Sequence, residues 1–165
     1  MRILALAGGI AGAVALSQFP EFSQQYVQRL SGAVDELRAV TFAFDTAAKV
    51  GGLSREEALT ELQGTGFGDR FSGDMRARIA RFERLDADYD ALAQAEPLQR
   101  LARFWHIRDP ELVSRTWDDF QPAVPVSTEG AVFAGLGYGA GWLVVTLVLG
   151  ALFRGLFGRR RPRWA

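Results

Sequence analysis

Apolar positions along the 165-residue chain follow two different patterns, unbroken runs at the two ends and helical stripes between them. Ala131 to Phe153 holds 23 residues without a charge and includes the run Leu143-Val144-Val145-Thr146-Leu147-Val148-Leu149. At about 1.5 Å per residue such a helix covers about 35 Å, enough for a hydrocarbon core of about 30 Å. A buried helix of a soluble domain would keep a polar face over that length and would not run into Arg159-Arg160-Arg161. The pattern therefore predicts a transmembrane helix over 128–154. Ile3 to Phe19 is shorter, small and Gly-rich, at the bottom of the spanning range. It reads as a transmembrane helix within 1–20, closed by Pro20. The alternative is a secretory signal peptide with Arg2 as n-region, Ile3 to Leu16 as h-region and Ala15-Leu16-Ser17 as cleavage site. The uncleaved helix is preferred because the pattern continues without a break into the helix that follows.

That helix carries apolar residues at Phe22, Tyr26, Leu30, Val34, Leu37, Val40 and Phe44, spaced three or four apart, which is one stripe of an amphipathic helix. Gly51-Gly52 supplies the left-handed cap that ends it. Ser54-Arg55-Glu56-Glu57 has the form of a capping box and opens a short helix to about residue 63. Gly64, Gly66 and Gly68 then break the chain. A second stripe of similar length follows at Phe71, Met75, Ile79, Phe82, Leu85, Tyr89 and Leu92. Two such stripes bury each other as an antiparallel helical hairpin with a coiled-coil type of interface, which assigns 21–127 to a hairpin domain. Pro97 opens another short helix through Trp105. Asp109-Pro110-Glu111 is a cap with Pro at the first helical position, for a helix to Phe120. Pro122 and Pro125 make an extended link, and Ser127 or Thr128 caps the second membrane helix. No stretch alternates long enough to be a strand, so the fold class is an all-α membrane protein: two transmembrane helices, the hairpin and short additional helices.

Charge changes the picture more than composition does. Nineteen basic and nineteen acidic residues cancel, and 48% hydrophobic content alone would suit a soluble globule. The cancellation is segregated. The two ends carry six positive charges and no negative one, and residues 21–130 carry a net −6. Basic residues beside a span stay on the cytoplasmic side. Arg154, Arg159, Arg160, Arg161 and Arg163 thus place a basic tail, 155–165, in the cytoplasm with the N-terminus, and the acidic middle outside. In a bacterium with two membranes the location is the inner membrane, with a periplasmic central domain.

Candidate chemistry is sparse. Gly8-x-x-x-Gly12, Gly135-x-x-x-Gly139 and Gly137-x-x-x-Gly141 place small residues on helix faces and predict close packing between the spans or with a partner. Asp86-Ala87-Asp88-Tyr89-Asp90 imitates the start of a calcium loop, but Ala91 and Pro97 occupy the positions that need Gly and Glu. The three carboxylates read as a solvated helix face. Gly64-Thr65-Gly66-Phe67-Gly68 lacks the Lys and the preceding strand of a phosphate loop. Without cysteine and with a single histidine, thiolate and multi-histidine metal sites are excluded. His106 as a general base would need Asp109, Glu111 or Asp118 as orienter and a nucleophile that the sequence does not supply. No catalytic, cofactor or metal residue is assigned. Phe104, Trp105, His106 and Trp117 suit hairpin-base packing or the membrane interface. The Arg tail suits topology and anionic lipid, at about 1 kcal/mol per basic residue, better than nucleic acid.

The opening Met-Arg-Ile-Leu-Ala-Leu-Ala-Gly-Gly-Ile-Ala-Gly-Ala, Ser-Gln-Phe-Pro-Glu-Phe-Ser-Gln-Gln-Tyr at 17–26 and Arg-Leu-Ser-Gly-Ala-Val-Asp-Glu-Leu at 29–37 resemble a family of uncharacterised proteobacterial membrane proteins. Arg-Glu-Glu-Ala-Leu at 55–59 and Gln-Pro-Ala-Val-Pro at 121–125 add to the resemblance. It implies a two-span protein with a domain of unknown function and transfers no catalytic residue. The expected role is non-enzymatic, an accessory subunit or scaffold with a protein partner or a homo-oligomer. The alternative is a lipid- or small-molecule-binding module with a groove around Trp105. Reporter fusions test the charge argument: one at residue 60 should report an outside location and one at residue 165 an inside location, and an outside C-terminus would reverse the orientation.

Overall fold

The computed structural model describes residues 2–122 and 128–157, and those residues are helical with short connections. The helices are α1 (Arg2–Ser17), α2 (Phe19–Val50), α3 (Arg55–Glu61), α4 (Gly66–Leu92), α5 (Pro97–Ala102), α6 (Pro110–Asp118) and α7 (Thr128–Phe157), with a 3₁₀ turn at Phe104–His106. They form two compact units. One takes the chain up to Phe22 and from Gln121 onward, and the other is Ser23–Phe120.

In the first unit α1 and α7 pack side by side. Gly8 lies opposite Gly141, Gly12 opposite Gly137, and the Phe19 and Phe133 rings stack at 5.7 Å, so the two helices run antiparallel. The most apolar windows of the helical stretches Arg2–Val50 and Thr128–Gly155 have mean hydropathies of 1.6 and 1.9, with only 17% and 11% of their residues buried inside the protein. A core helix of a soluble protein would be mostly covered. Here Ile3, Ile10 and Val14 on α1 and Leu143, Val144 and Leu147 on α7 stand exposed. The helical stretches Arg2–Val50 and Thr128–Gly155 are both long and apolar enough to cross a membrane. α1 alone is about 24 Å long at about 1.5 Å per residue. The helical path continues almost at once, since only Gln18 separates α1 from α2 and Phe22 N–H bonds Gln18 O at 3.0 Å. Pro20 sits in the first turn of α2, where its missing N–H costs no helical bond.

The second unit is built on α2 and α4. Tyr26, Val27, Leu30, Val34 and Leu37 of α2 cluster with Leu85 and Leu92 of α4 and Leu112 of α6. Further along, Val40 and Phe44 pack on Met75 and Ile79 of α4 and on Leu59 of α3. Rising numbers on α2 meet falling numbers on α4, so these helices also run in opposite directions. Arg38 joins them at the surface, bonding Asp86 at 2.9 Å with its guanidinium 5.9 Å from the Phe82 ring centroid. Such exposed pairs contribute roughly 0–1 kcal/mol each, so the apolar cluster decides the packing.

The turns form for local reasons. Gly52, at φ +74°, ends α2 in a Schellman arrangement, with Leu53 N–H on Ala48 O and Gly52 N–H on Lys49 O. Ser54 and Glu57 make the reciprocal capping box: Glu57 accepts from Ser54 N at 2.8 Å and Ser54 accepts from Glu57 N at 3.3 Å. Asp109 caps α6 by accepting from Leu112 N at 3.0 Å, with Pro110 at the first helical position. The C-terminus of α4 is capped by two guanidiniums, Arg100 on Leu92 O at 3.2 Å and Arg103 on Ala91 O at 2.7 Å, where cations suit the helix dipole.

Two local expectations need correction. Gly66 and Gly68 do not break the chain. They occupy the first turn of α4 behind the cap Thr65, and only Gly64, at φ +103°, is in a conformation that requires glycine there. A Cβ on Gly68 would run into the Leu62 carbonyl, so the third glycine serves close approach. Phe71 does not lie on the buried stripe. It is 37% exposed and stacks on Phe67, while Ser72 and Gly68 face inward in register with Met75 and Ile79. Steps of 68, 72, 75 and 79 keep one face, and Phe71 sits about 100° away from Ser72. Leu85→Ala should therefore destabilise the chain by about 2–5 kcal/mol and Phe71→Ala by less than about 1 kcal/mol, as read from thermal unfolding in detergent. Equal losses would restore the register expected from the sequence.

Candidate functional site

Small residues on α1 and α7 meet backbone to backbone. A Cβ added at Gly12 would run into the Gly137 carbonyl, one at Gly141 into the Gly8 carbonyl and one at Gly8 into the Val145 side chain. Gly9 accommodates the Tyr138 ring, with a Cβ falling 2.7 Å from it, and a Cβ at Gly137 would lie 2.8 Å from that of Leu16. In lipid, helices gain little from hydrophobic association, and close contact at small residues supplies van der Waals attraction instead. Four of the six predicted packing glycines, Gly8, Gly12, Gly137 and Gly141, come together in this seam. Gly135 and Gly139 do not, since a Cβ at either meets open space. The two overlapping motifs on α7 are two residues out of register, about 200° around a helix, so only one of them can face α1. Arg154, at the end of α7, is exposed. Arg159, Arg160, Arg161 and Arg163 lie outside the described residues.

The predicted stripe residues divide unevenly. Tyr26, Leu30, Leu37, Met75 and Ile79 are buried; Phe22, Phe44, Phe82 and Tyr89 are half-buried. Phe71 is the departure noted above. Tyr26 is completely enclosed, and its hydroxyl lies near the Arg108 and Asp109 backbone without a hydrogen bond of good geometry. Burial first, and then the neighbouring carboxylates of Asp109 and Asp88, raise its pKa above the ordinary phenol value.

Behind Tyr26 sits a polar node that the stripe pattern concealed. Asp88 is only 1% exposed, and both carboxylate oxygens are engaged, one by His106 Nδ1 at 2.7 Å and the other by Arg108 Nε at 2.9 Å. The expectation of a solvated Asp86-Asp88-Asp90 face is therefore wrong for Asp88. Its position three after Leu85 and four before Leu92 puts it on the buried face, and the half-buried Tyr89 takes the flank. Asp86 is held separately by Arg38. The group oriented against His106 is thus Asp88, not Asp109, Glu111 or Asp118. Asp109 accepts from Arg81 at 3.1 Å, and Arg81 also reaches Glu111 at 2.7 Å.

His106 meets Asp88 through Nδ1. Among the described residues Nε2 has no hydrogen-bond partner, and no hydroxyl is positioned on it. The chemistry available is the fastening of the 3₁₀ turn and of Arg108 to α4 by a buried, doubly bonded carboxylate. Among the described residues no group of three His, Cys, Asp or Glu is placed to hold a metal ion. Sequence spacing read with strict heptads would have missed the node, but a three-then-four step across Leu85, Asp88 and Leu92 carries its signal.

These features define an all-helical protein with two helices able to cross a membrane, packed through glycine, and a separate helical unit with a buried polar node. The chain belongs to DUF2937, a family of proteins of unknown function, and the family match spans residues 1–158. It bears out the resemblance seen in the sequence to uncharacterised proteins. Comparison with curated proteins and with solved structures gives no match. Gly12→Leu should cost about 1–3 kcal/mol by overpacking the seam, seen as a lower unfolding temperature in detergent, while Gly139→Leu should leave it unchanged. The opposite ranking would place the other glycine motif at the contact.

Proposed function

We propose that this chain is a non-enzymatic inner-membrane protein, an accessory subunit or scaffold that works through an extracytoplasmic antiparallel helical hairpin. The observation that carries the reading is the glycine seam between α1 and α7, which joins the two ends of the chain into one anchor of paired helices. Segregated charge supports the orientation: both termini cytoplasmic beside the Arg-rich tail, and the acidic α2–α6 region in the periplasm. In that placement the Arg cluster meets anionic lipid headgroups. In the polar node Asp88 bonds both His106 and Arg108, which suits a fastening role within the helical unit.

The competing idea of a lipid- or small-molecule groove around Trp105 has less support, because Phe104 and Trp105 stand well exposed. Those rings suit contact with the interfacial layer of a bilayer, where Trp concentrates. Purification of the full chain in a gentle detergent tests the reading. A stoichiometric protein partner or a defined homo-oligomer is the expected result. A monomer that brings no second protein from its native membrane would contradict it.

A further inference from the structure

Phe44, Ala47 and Ala48 of α2, Leu53 of the connecting turn, Ala58 of α3 and Leu62 just after it wall an open apolar cavity of about 460 Å³. It sits at the C-terminal end of α2, where the chain turns into α3. Glu61 completes its wall. A second hollow of about 410 Å³ adjoins it, lined by Leu53, Glu56, Glu57, Thr60 and Glu61, so Leu53 and Glu61 belong to both. Val50, beside the α2 wall, is 86% exposed.

The charged residues that line the two hollows are all glutamates. Glu56 is paired with Arg76, and Glu57 accepts a hydrogen bond from the Ser54 backbone amide. Glu61 has no ion pair or hydrogen bond among the described residues. An apolar groove edged by carboxylates is complementary to a segment that carries apolar side chains on one face and Lys or Arg beside them. A fatty acid or an anionic lipid would bring like charge to the rim. A second copy presenting the same end of the hairpin would do so too.

We propose that this groove docks a basic amphipathic segment of a partner protein. The proposal rests on the accessory-subunit reading above and names the chemistry of the partner. The test uses the full chain in phosphatidylcholine nanodiscs and a fluorescent Leu/Arg amphipathic peptide of about 14 residues, four helical turns, with a Leu/Glu peptide as its counterpart. Fluorescence anisotropy should show saturable binding of the Leu/Arg peptide and none of the Leu/Glu peptide. Ala47 and Glu61 are exposed, so changes there leave the fold intact. Ala47→Trp should fill the groove and remove binding. Glu61→Arg should weaken it by about fivefold, the scale of one lost surface pair plus repulsion.

Absent binding overturns the proposal, as does binding that neither variant alters or that empty nanodiscs reproduce. Self-association of the chain that Ala47→Trp abolishes would give the groove to a second copy and overturn it equally. The two levels separate cleanly. If native membranes yield a partner that the Ala47→Trp chain still retains, the docking site is elsewhere and the accessory reading stands. A chain that purifies with nothing refutes the accessory reading itself.

Discussion

The paired apolar helices depend on one close contact, the approach of the α1 and α7 backbones at Gly8, Gly12, Gly137 and Gly141. Inside a bilayer each helix already satisfies its own backbone hydrogen bonds, and lipid tails solvate leucine as well as another leucine does. What distinguishes a packed pair from two separate spans is then the distance at which the backbones can meet. Side chains at these positions would hold the helices apart. The exposed Ile, Leu and Val positions on the other faces are free to meet lipid because the glycines make the interhelical contact.

Polar groups in the α2–α6 unit follow a different logic. The apolar cluster around Tyr26, Leu30, Leu85 and Leu92 supplies the drive for α2 and α4 to associate. Buried polar groups then have to be satisfied, and Asp88 is satisfied twice. Removing either partner would leave part of a buried carboxylate unpaired, a larger penalty than breaking any of the exposed pairs. The two guanidiniums on the last carbonyls of α4 act similarly, since they meet acceptors that the helix itself cannot pair.

How legible all this was in the sequence depended on how local each feature is. The Schellman turn at Gly52, the Ser54 capping box and the Asp109-Pro110 start are encoded within a few residues, and they were readable as such. The apolar stripe of α2 was readable too, because one uninterrupted face is buried over most of its length. The α4 stripe was harder. Phe71 and Tyr89 are large and apolar and draw a periodicity onto themselves, while Ser72 and Asp88, which occupy the inward face, look like surface residues. Only the third dimension shows that His106 and Arg108 arrive to satisfy Asp88. The same holds for choosing between the two α7 glycine motifs: both have the spacing, and the partner helix decides which one is used. The groove walled by α2 and α3 has no sequence signature, because its alanines become a surface only after Gly52 turns the chain back.

The seam can be measured directly because the chain contains no cysteine. Gly8→Cys combined with Val145→Cys puts two sulfur-bearing side chains at positions whose Cβ atoms lie 3.1 Å apart, close enough to bridge with a small adjustment. Oxidation in native membranes should convert this double variant to an intramolecular disulfide, and leave Gly8→Cys with Val144→Cys unbridged. Equal bridging of both, or bridging only between two chains, would contradict a fixed seam between α1 and α7.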